Sequence, residues 1–434
     1  MRITKIHLQN IGVFEDEIIE FPKKTDPNKA EIHILAGENG TGKSTLLYAL
    51  AAPFMEFEGN EGYNTNIYNR FRFYNLSSSL TVYTDNEKLF ELTGENKAGV
   101  NIHGSSRQAE LSVYTNTLHE LNWHPRLLNQ KKFSFAAFAY SGTRVLEKHN
   151  ITSIEEITVS PFQNAVSFHK TVDSALITKW IANSITKESL EFRKKNREKA
   201  NRFRRSISRI EQAISSIIDE PIEFELESEP LDVVAKLGNK YLSFDLLPDG
   251  LKSIISWIAD LLIRLDRISW EDDTEVLDRR FFLFLDEIDV HLHPAWQRKV
   301  LPAIQKLFKN AQVFVSTHSP FVVGSVDGAW VHKLVIDEKG NSSTKQPKLT
   351  EDAESYQLIL KEVFDIDKRF GVEIEKKLDE FQRIKSDVLH NRQFDKDKLL
   401  RLARGLAGQS IELDSIIGME LRQLSRIKQT DFSI

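Results

Sequence analysis

The run Gly37–Ser44, GENGTGKS, constrains this chain more than any other stretch, because it fits G-x-x-x-x-G-K-[ST] and comes with the right neighbours. Gly37, Gly40 and Gly42 let backbone N–H groups close around phosphate oxygens, with Asn39 and Thr41 completing the loop. Lys43 can reach β and γ phosphates, the Ser44 hydroxyl suits Mg²⁺, and Thr45 follows as a further binding candidate. The apolar segment Ile32–Ala36 reads as a buried strand and Ser44–Ala52 as a helix, so a phosphate would sit on the helix N-terminus.

A second run, FFLFLDEIDVHLHP at Phe281–Pro294, lies far along the chain. Five consecutive apolar residues, Phe281–Leu285, suit a central parallel strand covered on both faces. Asp286 and Glu287 follow at its C-terminal end, where open α/β sheets place ligands. Asp286 is the metal candidate beside Ser44, and Glu287 is placed to polarise an attacking water. A further apolar strand, Val313–Val315, runs into STHSP and brings His318 to the same edge, where it can sense a γ-phosphate. An acidic pair or a lone turn histidine is ordinarily just solvated; the convergence of three strand ends favours chemistry.

With these motifs the chain resembles the ABC-type ATPase heads of the SMC, Rad50 and OLD group. The resemblance makes GENGTGKS the Walker A loop, FFLFLDE the Walker B strand with its glutamate, IDVHLHP the D-loop region and STHSP the switch histidine. It implies a two-lobed α/β head, a P-loop core with an antiparallel β subdomain, split by a helical insertion that accounts for the long spacing. DEIDVHLHPAWQ and THSP, with AYSGTR at Ala139–Arg144 and LLPDGLKSI at Leu246–Ile254, are more specifically similar to compact ATPases of bacterial anti-phage systems of the Septu, retron-associated and PARIS types. That similarity implies ATP and Mg²⁺ as cofactors, a homo-oligomer, and a separate effector, a nuclease. One departure is visible. Where such heads carry an L-S-G-G-Q signature, this chain has Leu247, Pro248, Asp249, Gly250 and Leu251. Proline offers neither hydroxyl nor N–H. Asp249 and Gly250 remain candidates for contacting nucleotide on a facing subunit, and slow turnover is expected. No glutamine between Ala52 and Ser79 singles itself out as a Q-loop residue.

Composition narrows the class further. With 41% hydrophobic and 28% charged residues the 434-residue chain reads as an ordinary globular protein with room for a large core and an appended module. It has no cysteine, which excludes disulfides and suits a cytoplasmic location. No apolar run reaches the ~20 residues of a membrane span, and MRITKIHLQN lacks a signal-peptide core. A net charge of −5 makes any nucleic-acid contact a local matter.

The expected organisation is an N-lobe over 1–172, a helical insertion over 173–221, a C-lobe over 222–349 and a C-terminal helical module over 350–434. In the N-lobe, Ile3–Leu8 and Glu17–Phe21 alternate as strands, Gly59–Ser79 reads as a surface connection, and Leu80–Thr84 and Lys88–Leu92 as meander strands. Lys179–Ile218 reads as helix, with Phe203, Ile207, Ile210, Ile214 and Ile217 forming a packing seam. Between Lys187 and Arg209 cations far outnumber carboxylates, so this stretch can contact DNA or RNA phosphates, or simply be a solvated arm. In the tail, Arg383 and His390 match the R-x₆-H spacing of HEPN ribonucleases, though the rest of that pattern is missing. The function expected is an ATPase subunit controlling a separate nuclease. The alternative is a repair or chromosome-maintenance ATPase that clamps DNA.

Overall fold

The computed structural model describes residues 1–55, 77–85, 87–96, 100–144, 146–149, 151, 153–351 and 354–432. Most of the Gly59–Ser79 connection expected from sequence lies outside these residues. The chain begins with strands β1 (Ile3–Ile11), β2 (Phe14–Glu20) and β3 (Glu31–Gly37), then the helix Lys43–Ala51. There follow β4 (Ser77–Thr84), β5 (Glu87–Asn96), β6 (Val100–Arg107), the helix Ala109–Trp123 and β7 (Ala136–Tyr140). Two helices, Ser174–Arg193 and Arg197–Ile218, precede β8 (Ile222–Ser228), β9 (Leu231–Leu237) and β10 (Lys240–Ser243). The helix Asp249–Arg267 leads to β11 (Phe281–Leu285), the helix Pro294–Leu307, β12 (Gln312–Ser316), β13 (Trp330–Ile336), β14 (Ser342–Thr344) and β15 (Lys348–Leu349).

Seven of these strands form the sheet that carries the site, in the order β14-β13-β3-β12-β11-β7, with β15 also on β13. From β7 to β13 the pairing is parallel. The ends of β3, β7, β11 and β12 therefore share one edge. All seven residues of β3 and all five of β7, β11 and β12 are buried, as the central strands of a parallel sheet are when both faces are covered. A five-stranded antiparallel sheet, β2-β1-β4-β5-β6, forms the β subdomain, and β8–β10 a small third sheet.

At the N-terminal end of β3 the buried carboxylate of Glu31 ties three segments together. It accepts from Arg2 Nε at 2.8 Å, Gln312 Nε2 at 2.7 Å and the His33 ring at 3.1 Å. Burial alone would raise its pKa, but the bonds from His33 and Arg2 outweigh that and hold it at about 2.

The insertion differs from the single helix the periodicity suggests. It is a helical hairpin broken at Lys194–Asn196, where Lys195 takes a left-handed φ of 59° and the Asn196 side chain caps the second helix. The isoleucine seam is as expected: Ile207, Ile210, Ile214 and Ile217 are fully buried. The basic stretch is less free than its charge count suggests, because Glu211 further along the same helix and carboxylates from beyond the insertion pair with it. Arg204 pairs with Glu211 at 2.9 Å, and Arg209 with Glu275 at 2.8 Å and Asp266 at 3.7 Å.

The chain divides into two compact units, Met1–Phe364 and Asp365–Ile434. The break falls later than the expected start of the helical module at Thr350. Ile359, Val363 and Phe364 of the helix Tyr356–Phe364 are buried in the large core. The second unit has its own core, in which Phe381, Leu399, Leu406, Ile417 and Leu424 from three helices meet.

Candidate nucleotide site

The loop after β3 turns into its helix through Gly42, with φ 89°. A Cβ there would lie 2.6 Å from Val13 Cγ2 and 2.9 Å from the Phe14 ring, so both conformation and space demand glycine. Thr41 closes the turn by donating its hydroxyl to Glu38 O at 2.9 Å, and its own carbonyl accepts from Ser342 at 2.7 Å. Asn39 and Gly40 are exposed at the tip, and Gly37 and Thr45 are buried at the base. Lys43 Nζ donates to the loop carbonyls of Gly37 at 2.9 Å and Glu38 at 2.7 Å. Burial pulls its pKa down to about 8, against the opposing pull of Asp286, Glu287 and Asp289.

Those acids stand where the parallel register of β11 and β12 puts them. Asp286 Oδ1 accepts from Ser44 Oγ at 3.0 Å and from Ser316 Oγ at 2.5 Å, while its backbone N–H donates to Tyr140 O at 2.8 Å. Ser44 and Asp286 thus present hard oxygens side by side at the mouth of the loop. This donor set suits Mg²⁺ shared with phosphate oxygens, and among the described residues no larger cluster of metal-ligating side chains exists.

Glu287 is half-buried and carries a left-handed φ of 46°, an uncommon conformation for a glutamate. Its N–H donates to Ser316 Oγ at 2.8 Å. One hydroxyl, with no exposed surface, therefore holds the Asp286 carboxylate and the Glu287 backbone together. His318 follows, half-buried, its N–H donating to Asp289 Oδ1 at 3.3 Å, and Thr317 Oγ1 donates to the same oxygen at 2.5 Å. Burial first, then the Lys43 charge, push the His318 pKa down, so the imidazole is neutral at pH 7.

Asp249 and Gly250 open the helix Asp249–Arg267 behind Pro248, which contributes no side-chain cap. Asp249 is exposed. Gly250 is buried, and a Cβ on it would meet His291 O at 2.6 Å and the Trp296 ring at 3.1 Å. Within one chain its smallness is thus explained by close packing on the segment after β11.

Sequence reasoning assigned no role to the segment after β7, although AYSGTR contributed to the resemblance. Pairing of β7 with β11 brings it against the acids: a Cβ on Gly142 would lie 2.7 Å from Glu287 Oε2. Arg144 Nη2 donates to Glu287 O at 3.4 Å, from a fully buried guanidinium whose pKa desolvation lowers to about 10. Only the strand pairing could single these residues out. The chain signal, a glycine and an arginine after a short apolar run, is common in turns.

A phosphate loop after β3 and an acidic pair after β11, on either side of β12 at one edge of a parallel sheet, define a P-loop ATPase domain. The chain belongs to the family described as "AAA domain, putative AbiEii toxin, Type IV TA system", which matches residues 32–324. It is 25% identical to the "Retron Ec83 probable ATPase" of Escherichia coli over 428 residues, covering 85% of this chain and 77% of the relative. It is 24% identical to "Septu protein PtuA" of Bacillus mycoides (strain KBAB4), over 78% of this chain but 41% of that longer protein. Among solved structures an SMC head bound to the C-winged helix domain of ScpA is similar at 15% identity, TM-score 0.47, covering 82% of this chain and all of that one. Among the described residues no helix is long and apolar enough to cross a membrane.

Proposed function

We propose that this chain is the ATP-binding, slowly hydrolysing subunit of an anti-phage defence complex. In this reading it assembles into dimers or higher oligomers and controls a separate effector, a nuclease. The carrying observation is the Ser316 hydroxyl, which donates to the Asp286 carboxylate that Ser44 also bonds and accepts from the Glu287 backbone N–H, so that both acids are fixed at the strand end beside the loop. Lys43 would exchange its carbonyl partners for the β and γ phosphates, and Ser44 and Asp286 would hold Mg²⁺. Bound there, a divalent cation would supply charge neutralisation on the phosphates. Glu287 accepts a proton from the attacking water, and neutral His318 donates a hydrogen bond toward the γ-phosphate.

Slow turnover follows from Pro248, which removes two donors a facing subunit would offer. ATP between subunits then favours one assembly, and its loss or hydrolysis shifts the population and frees the effector. The relatives named as retron and Septu proteins support the defence setting. The DNA-clamp alternative draws on the basic hairpin and is weakened by the ion pairs of Arg204 and Arg209.

Glu287→Gln tests the catalytic part: ATP binding persists while turnover falls about 10²–10⁴-fold, and light scattering detects a longer-lived assembly. Unchanged turnover and assembly would remove Glu287 from this role. The effector part is tested by assaying DNA and tRNA cleavage with and without the product of the neighbouring reading frame. Strong cleavage by the lone chain would overturn it.

A further inference from the structure

The last strand of the main sheet, β7, is held from outside that sheet by one buried network. Arg264, on the helix Asp249–Arg267, donates to Pro161 O at 2.7 Å, Gln163 O at 2.9 Å and Thr171 O at 2.6 Å. These carbonyls bracket the segment that covers the outer edge of β7, where Ala139 N–H donates to Ala165 O at 2.8 Å and Ser141 N–H to Phe168 O at 3.3 Å. One turn earlier on the same helix, Asp260 Oδ2 accepts from Arg264 Nε at 2.6 Å and from the Tyr140 hydroxyl at 2.8 Å. Tyr140 ends β7, and its carbonyl accepts from the Asp286 N–H at 2.8 Å.

Stability alone does not account for this arrangement. Tyr140 and Asp260 are fully buried, and Asp260 Oδ1 has no partner among the described residues. A buried ion pair with half of its carboxylate unsatisfied adds little stability over well-packed apolar side chains of similar volume. What it supplies is direction. Burial raises the Tyr140 pKa well above its ordinary value, so the phenol keeps its proton and donates it to one fixed oxygen. Both ends of this tyrosine are therefore tied, the hydroxyl to the helix and the carbonyl to the backbone of Asp286. The same helix opens about three turns earlier at Asp249 and Gly250, where a Cβ on Gly250 would meet the His291 carbonyl of the segment after β11.

We infer that Tyr140 is a positioning residue for the nucleotide site: anchored on Asp260, it fixes where its own carbonyl holds Asp286, so that the helix Asp249–Arg267 sets the carboxylate that Ser44 bonds. The inference rests on the reading of Asp286 as a ligand for a divalent cation. Tyr140 contributes no group to the site itself and acts through the Asp286 backbone.

The experiment compares the full wild-type chain with Tyr140→Phe, which removes only the hydroxyl. AMP-PNP is titrated calorimetrically without divalent cation and across a Mn²⁺ series, and Mn²⁺ uptake by the nucleotide complex is read by electron paramagnetic resonance. Tyr140→Phe is expected to leave metal-free AMP-PNP affinity unchanged and to raise the half-saturating Mn²⁺ concentration about five- to tenfold. Its kcat for ATP falls by a similar factor with KM little changed. Asp260→Asn, whose amide oxygen can still accept from both Tyr140 and Arg264, stays within about twofold of wild type. Asp260→Leu matches Tyr140→Phe; should it fail to fold by circular dichroism, the contrast between Tyr140→Phe and Asp260→Asn carries the test. A lowered melting temperature with Mn²⁺ uptake and kcat unchanged would reduce the network to a structural role and overturn the inference, as would an equal loss of metal-free nucleotide binding. Asp286→Asn separates the two levels of failure. If it also leaves Mn²⁺ uptake unchanged, the reading of Asp286 falls and the inference with it; if it weakens uptake and Tyr140→Phe does not, the inference alone falls.

Discussion

At the scale of single residues, the site works through neighbours that carry no chemistry themselves. Gly142 leaves no room for a Cβ beside Glu287, so Gly142→Ala should push the carboxylate aside. Turnover is then expected to drop about 10²-fold with ATP affinity little changed, as steady-state kinetics and nucleotide titration would read. A parallel loss of ATP binding would mean that the loop, not Glu287, had moved. Lys43 gives a pH signature. Its pKa is about 8 before phosphate arrives, and the phosphates favour its charged form. ATP affinity should be level below pH 8 and fall above it, approaching about tenfold per pH unit. A flat profile from pH 7 to 9.5 would exclude this titration.

Among elements, β3 carries both ends of the argument, since its C-terminus feeds the phosphate loop and its N-terminus holds Glu31. The depressed Glu31 carboxyl contributes stability that is fully present above its ordinary pKa of 4.5 and is lost as pH falls toward about 2. A shift of this size is worth on the order of 3 kcal/mol. Denaturant midpoints of the wild type and Glu31→Gln should therefore differ most near pH 7 and converge as pH falls below 4.5. A gap independent of pH would assign the effect to packing. The insertion shows how tertiary contacts revise a composition argument. Its cations outnumber carboxylates within the stretch itself, but Asp266 and Glu275 approach Arg209 from other segments, and Glu211 further along the same helix pairs with Arg204, so part of the run is neutralised.

For the whole molecule, the boundary after Phe364 predicts that residues 1–364 fold without the C-terminal helices. That fragment should bind ATP with near-native affinity by calorimetry. Loss of binding together with loss of cooperative melting would show that the two units depend on each other. Much of the nucleotide site was legible in the chain, because the loop motif and the continuous apolar strands are local patterns: spacing sets the glycines, and burial on both faces sets the hydrophobic runs of β3, β11 and β12. The sequence by itself therefore determined the α/β class and the identity of Lys43, Ser44, Asp286, Glu287 and His318 as site candidates. Only the tertiary structure decided that Gly142, Arg144 and Ser316 frame Glu287 and that Gly250 packs on its own chain. These depend on which strands pair and in what register, a long-range choice that no short window of residues encodes.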